Sequence, residues 1–381
     1  NNGAYEDQQF KAQGLTVPIV DEVMVSDLKA EELAKNNPRA TREEMFKFIF
    51  ADLAFAEEAL AEYVPTSITN PDLSVVYGLY ARAYLWLGGF EDGLSGELPE
   101  GNDAYEKAAE YARLAINAHG GAIMSEAEWT DVNNGFNVAA SSWMWGLQHS
   151  VDTVINNLFQ FTAHMAPEAS YGYAPLSQLG VASTTYDRLS NTDFRKKLIK
   201  GPDVTYEEFA HYTTMPEDEF YSFAPYVNFK FRPAGGNRTE YKAAGATVLP
   251  LMRCEEMYFI EMEAIAHTQG GNAGRAKLVE FMANRDSNYI CPESDIVGEI
   301  IFQKGVEFWG EGIVMYDMKR LDMGVDTAYS SYNYYYSARF YTEGRLPWWT
   351  YCIPQSEMYM NMGIQANNPD PTQSLNPITN E

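Results

Sequence analysis

The chain has 381 residues, 53 acidic and 27 basic, giving a formal net charge of −26 at pH 7 and a pI near 4.5. No basic stripe offsets that charge, so a nucleic-acid backbone would be repelled, and no apolar run approaches the roughly 18 residues that signal a membrane-spanning helix. The length allows a large core in one unit or two intimately packed ones, and the unusual number is the aromatic fraction of 14%, with 26 Tyr and 7 Trp.

Residues 1–40 read as irregular, with a short extended run over Gln13–Val20 that Pro18 confines to an edge or a loop. A helix follows. Thr41 and Glu44 form a capping box, Met45, Ile49, Leu53, Ala56 and Leu60 recur at helical spacing, and Pro65 closes the segment. Ser74 to Gly121 then holds two stripes of one pitch: Val76, Leu79, Tyr80, Ala83 and Leu87, and Tyr105, Ala108, Ala109, Ala112 and Ile116. The second stripe is mostly alanine, so its backbone can approach the larger side chains of the first, as in an antiparallel hairpin of tetratricopeptide type. Asn70-Pro71 places a proline near the first helical turn, Asp103 with Glu106 resembles a capping box, and Gly120-Gly121 stops the second helix. Between the two, Glu91 to Gly101 reads as an acidic solvated loop without calcium-loop spacing.

From Ile123 to about Phe231 periodicity is weak. Trp143–Gln148 fits a buried strand or a helix segment, Tyr171–Pro175 a loop with two rings, Tyr186–Arg195 a short helix and turn, and Tyr226–Phe231 a strand. An irregular region this long is usually functional or leans on a rigid neighbour. Helical spacing returns at Leu249, where Leu251, Cys254, Tyr258 and Ile265 share a face of a helix reaching Thr268 and ended by Gln269-Gly270-Gly271. Ala276–Arg285 supplies its partner, and Val297, Ile300, Ile301, Lys304 and Phe308 outline a further helix closed by Trp309-Gly310-Glu311-Gly312. An aromatic stretch over Tyr329–Tyr341, a strand around Trp349–Ile353 and a Pro/Asn-rich surface tail complete the chain. The expected fold is mainly α, one unit over 1–381: a helical scaffold over 41–121, an irregular loop-and-short-strand region over 122–248, a second scaffold over 249–320, and loops and tail over 321–381.

Chemistry-bearing motifs are scarce. Cys254, Cys291 and Cys352 fit no metal or redox spacing, and either free thiols or one bridge with one thiol left over would satisfy them. His119, His149, His164, His211 and His267 are scattered, and no nucleophile elbow, phosphate loop or dinucleotide fingerprint is present. No cofactor is expected, although a structural calcium held by loop carboxylates and carbonyls needs no linear motif and stays open. Glu255, Glu256, Glu261 and Glu263 crowd one helix. A glycosidase needs two carboxyls roughly 5 to 9.5 Å apart, but charge on a helix face is usually just solvated.

Five sets of residues, taken in order, resemble a known family. They are Tyr77-Gly78-Leu79-Tyr80-Ala81-Arg82-Ala83-Tyr84-Leu85 with its Ala-rich partner; Tyr186-Asp187-Arg188 through Asp193-Phe194-Arg195; Arg253 with Glu256, Tyr258 and Glu263-Ala264; Val306-Glu307-Phe308-Trp309-Gly310-Glu311-Gly312 leading to Asp317-Met318-Lys319-Arg320; and Ile353-Pro354-Gln355-Ser356-Glu357 followed by Asn361, Gln365 and Asn367. Their order and spacing resemble the SusD/RagB family of surface glycan-binding lipoproteins from Bacteroidetes. Members carry a lipidated cysteine and a further N-terminal helical segment, so the resemblance reads this chain as N-terminally truncated. Gln303-Lys304-Gly305 stands where the family has Glu-Arg-Arg, and the Arg usual before the Asp317 position is missing. Both changes are expected to weaken an ion-pair network.

The resemblance implies non-catalytic binding of an oligosaccharide or polysaccharide at the outer-membrane surface and its delivery to a SusC-like TonB-dependent transporter. Membrane contact would run only through a lipid anchor that lies outside this chain. Sugars present apolar C–H faces to rings and hydroxyls to polar groups, so the loop aromatics Trp129, Tyr171, Tyr173, Tyr332, Tyr334, Tyr335 and Tyr336 are the candidate platform. The plainer reading is that most of them pack loops onto the scaffold, and the tyrosine cluster also suits transporter contact. Trp86, Trp145, Trp309 and Trp349 are assigned to structure, and Trp348 could point either way. Two other classes remain: a helical-repeat adaptor for a protein or peptide, with rings along a concave groove, and an all-helical carbohydrate-active enzyme, with two inward carboxylates in an aromatic cleft.

Overall fold

A computed structural model describes residues 14–20, 28–89, 97–329, 333–345 and 349–369. Among these are sixteen α-helices, several of a single turn, and one two-stranded sheet, so the fold is mainly α. Helix α1 (Leu28–Lys35) occupies a stretch read as irregular. Leu15 to Val17 pairs with Ala40 and Thr41 as an extended edge. Helix α2 (Arg42–Ala59) begins at the Thr41–Glu44 capping box, which is fully formed.

The hairpin of α3 (Leu73–Gly88) and α4 (Gly101–His119) is the centre of the N-terminal half. Asp72 caps α3 by accepting from the Ser74 and Val75 amides at 2.9 and 3.3 Å. The expected box at Asp103 is not there: α4 starts earlier, at Gly101, and Asp103 lies inside its first turn, where its charge favours the helix dipole. Gly120 closes α4 with φ +90. Helix α3 is buried on two sides. Val76 and Tyr80 meet Leu53 of α2, while Val75, Ala81 and Leu85 enter the main core with Ala108, Ala112, Met252 and Met257. The Ala-rich face of α4 therefore does allow close approach. Of the loop before α4, residues 90–96 lie outside the described residues.

A short capped helix, α5 (Glu126–Thr130), leads into strand β1 (Trp143–Gln148), then α6 (Phe161–Met165), α7 (Ala174–Ser177) and α8 (Ser183–Arg188). Three one-turn helices follow, α9 (Tyr206–Phe209), α10 (Glu217–Phe220) and α11 (Tyr241–Ala244), before β2 (Val248–Arg253). Strand β2 pairs antiparallel with β1. Residues 249–253, read as the start of a helix, are thus a strand, with Leu251 exposed on it. Tyr226–Phe231 is not a sheet strand either: only Val227 and Asn228 make isolated bridges, and all six residues are buried, so the alternation does not separate two faces. Helices α12 (Cys254–Thr268) and α13 (Gly271–Met282) form the second hairpin, followed by α14 (Ile296–Glu307), α15 (Val314–Arg320) and α16 (Gln355–Met360). Residues 349–353 form no strand, and 370–381 lie outside the described residues. Cys254 is buried, Cys291 half-buried and Cys352 exposed, and among the described residues no disulfide joins them.

The glutamates of α12 are not solvated. Glu255, Glu256, Glu261 and Glu263 are at most 6% exposed and each meets arginine: Glu255 with Arg253 and Arg285, Glu256 with Arg82, Glu261 with Arg113, and Glu263 with Arg320. Helix α12 is buried nearly all round, so these acids bind it to α3, α4, α15 and, through Arg285, the turn after α13. Around Glu307 the same chemistry concentrates, with Arg195, Arg253 and Arg285 all in contact with its carboxylate. Burial alone would raise the Glu307 carboxyl, but the arginines outweigh it and bring its pKa down to about 2. The departures at 303–305 do not open a gap here. Gln303 accepts from Arg195 at 2.6 Å and donates to Glu299 at 2.9 Å, and Lys304 pairs with Asp317 at 2.7 Å.

Candidate functional site

A half-open cavity of about 500 Å³ lies between helices α8 and α14. That volume lies within the ~300–1,000 Å³ usual for small-ligand sites. One wall is α14, which presents Gly298, Ile301, Phe302, Gly305 and Val306 at helical spacing. The Asp295 carboxylate fixes the start of that helix by accepting from the Gly298 amide at 2.9 Å. A Cβ on Gly305 would meet nothing within 4 Å, so this glycine leaves open space in the wall. The facing wall comes from Val181, Thr185 and Arg188 around α8, and Trp309, Met318, Met323 and Tyr334 complete the rim.

Polar groups are few and held in place. The Arg188 guanidinium lies 3.7 Å from the centroid of the Phe302 ring and is ion-paired with Glu299. Asn228 is 6% exposed. Its Oδ1 accepts from the Lys230 amide at 3.0 Å, while Nδ2 has no partner among the described residues although the side chain lines the cavity. Lys230 Nζ is satisfied by the Glu307 and Trp309 carbonyls and by Glu311. Burial, only partly offset by Glu311, pushes its pKa down to about 8. Asn333, next to Tyr334, is tied to α8 through the Ser183 amide at 2.9 Å and the Val181 carbonyl at 2.8 Å. Burial raises the Tyr334 phenol. Among the described residues no carboxylate lines this cavity, so they do not assemble the paired acids of a glycosidase in it.

Among the candidate rings, Tyr334 lines the cavity, and Tyr335 and Tyr336 follow it at 84% and 51% exposure. Tyr332 and Trp348 lie outside the described residues. Tyr171 and Tyr173 belong to another place, the α6–α7 pair. The hydroxyls of Tyr171 and Thr162 are 3.3 Å apart, and Tyr173, 43% exposed, has its ring 5.2 Å from that of His164. Among the described residues no ring of one group touches a ring of the other.

Trp129, read as a loop aromatic, lies in helix α5. It is 2% exposed and packs edge-on against Phe136 and Phe194, with Lys230, Arg253 and Arg285 over its indole, so only an edge reaches the cavity floor. A Ser125–Glu128 capping box sets α5 so that Trp129 turns inward, and that signature is readable in the sequence. Conversely, Trp309, assigned to structure alone, also lines the cavity, as do Arg188, quoted only as a landmark of the resemblance, and Phe302 and Asn228, which carried no local signal.

No family model matches the sequence, and no curated protein matches it significantly. Solved structures do match. A SusD-like carbohydrate-binding protein from Bacteroides vulgatus superposes with a TM-score of 0.65 at 21% identity, over 92% of this chain and 70% of that one. A SusD superfamily protein from Bacteroides thetaiotaomicron gives 0.65 at 17%, over 95% and 72%. A third structure, described with a xylogluco-oligosaccharide, gives 0.52 at 16%, over 80% and 60%. The chain has the SusD-like fold.

Proposed function

We propose that this chain is a non-catalytic saccharide-binding protein that holds a section of an oligosaccharide or polysaccharide and passes it to a TonB-dependent transporter at the outer-membrane surface. The observation that carries the reading is the cavity itself. It is bordered by Phe302, Trp309 and Tyr334, offers the Asn228 amide and the Arg188 guanidinium as donors, and has no lining carboxylate among the described residues. Rings suit the apolar faces of sugars, and fixed donors suit their hydroxyls. The SusD-like fold supports the assignment, since one such neighbour is described as carbohydrate-binding and another with a xylogluco-oligosaccharide. Tyr335 and Tyr336 extend the platform outward, whereas Tyr171 and Tyr173 offer a separate surface for the glycan or for the transporter.

The test is affinity electrophoresis against neutral and acidic polysaccharides, followed by calorimetry, with reducing-sugar release measured in the same samples. Binding without release is expected, weakened about tenfold by Tyr334→Ala or Trp309→Ala, equivalent to about 1.4 kcal/mol. Release of sugar, or binding insensitive to both changes but abolished by Tyr171→Ala, would overturn this assignment of activity or of site.

A further inference from the structure

Beside the aromatic cavity lies a smaller one of about 250 Å³, and Arg188 lines both. Its character is opposite. Asp286, Asn288, Tyr289, Glu299 and Gln303 face it, and among the described residues its one lining cation is Arg188. Helix α14 serves the two cavities with different faces, giving Phe302 and Gly305 to the larger and Glu299 and Gln303 to the smaller.

Asp286 is the telling residue. It is 4% exposed, and its position is fixed by the bridge to Asp193 and by its amide, which donates to the Met282 carbonyl at 2.8 Å. Oδ1 accepts from the Thr192 hydroxyl and from the Asn288 amide. Oδ2 has no hydrogen-bond partner among the described residues, and no ion pair to Asp286 exists among them, yet the side chain lines the cavity. That oxygen keeps its accepting capacity for a group placed in the cavity. Glu299, by contrast, is saturated: the Tyr289 hydroxyl and the Gln303 amide donate to Oε1, and Arg188 pairs with Oε2.

We propose that this smaller cavity is a second saccharide subsite, taking one uncharged, hydroxyl-rich sugar unit of a chain whose neighbouring units lie in the aromatic cavity. Asp286 Oδ2 accepts from a ring hydroxyl in a charge-assisted bond, and the side-chain carboxamide of the exposed Asn288 pairs with the next hydroxyl. Uronic and sulfated sugars are excluded, because Asp286 and Glu299 face the site while Arg188 is already paired. This rests on the saccharide reading above and deepens it to neutral glycans long enough to cross Arg188.

Calorimetry with cello-, malto-, manno- and xylogluco-oligosaccharide ladders, from disaccharide to hexasaccharide, tests it on the wild-type chain and on Asp286→Asn and Asn288→Ala. The exposed Asn288 can be changed without risk to the core. Affinity should rise with length, and both variants should lose about tenfold of that rise while the shortest ligands bind as before. Oligogalacturonides of the same lengths should not bind. A length dependence unchanged in both variants, or equal binding of the galacturonides, overturns the subsite and leaves the saccharide function standing. Loss at every length in both variants also overturns it. No binding of any neutral ladder by the wild-type chain overturns the neutral-glycan reading and the subsite together.

Discussion

Single residues decide how much of the charge in this chain is structural. Glu307 is fully buried among three arginines, with its pKa brought from the ordinary 4.5 to about 2. The carboxyl is more acidic folded than unfolded, so the unfolded chain binds the extra proton as pH falls between those values. Its stabilising contribution is complete above about 4.5 and is lost progressively as pH falls towards 2, amounting to about 3 kcal/mol by linkage. Urea midpoints measured down that range should drop steeply. Glu307→Gln should show lower stability at pH 7, by about 3–5 kcal/mol, together with a shallower acid slope. An unchanged slope would sink this account of Glu307. Residue-scale chemistry is also where the sequence was least informative about the site. Tyr334 is visible as a loop aromatic, but Asn228 and Asp286 are singled out only by lining a cavity with an atom that has no hydrogen-bond partner among the described residues, and such pairing depends on neighbours distant in the chain.

At the scale of elements, two glycines make opposite predictions. Gly274 of α13 touches α12: a Cβ there would lie 2.5 Å from the Ala266 Cβ and 2.9 Å from its Cα. Backbone cannot move aside cheaply, so Gly274→Ala should destabilise by about 1–3 kcal/mol. Gly305 of α14 faces empty space, and Gly305→Ala should stabilise the chain by about 0.5–1 kcal/mol through the lost freedom of the unfolded state. The same methyl enters the cavity wall, so saccharide affinity should fall while thermal stability rises; parallel calorimetry and melting would reveal any other pattern. Elements of this kind were legible when their signals were local. The Thr41–Glu44 box, the stripes of α3 and α4 and the stop at Gly120 follow from spacing within one helix. What failed depended on partners elsewhere. Val248–Arg253 is a strand because β1 lies beside it, and Tyr226–Phe231 is buried throughout and makes only isolated bridges, which no alternation in its own residues could disclose.

For the whole molecule, charge separates the saccharide reading from the adaptor reading. The surface carries the excess of a −26 chain, because the acids of the core are matched by arginine, lysine and hydrogen-bond donors. A protein partner recognising such a surface would use complementary charge, and its association would weaken steeply with salt. A neutral sugar on Phe302, Trp309 and Tyr334 meets rings and fixed donors instead, which salt hardly screens. Raising ionic strength tenfold shortens the screening length from about 10 Å to about 3 Å. Across that change, affinity for a neutral oligosaccharide should vary by less than about twofold, since neither the stacking nor the short hydrogen bonds reach that far. A tenfold loss would mean that long-range charge dominates recognition, and the ligand would then have to be sought among cationic proteins or peptides.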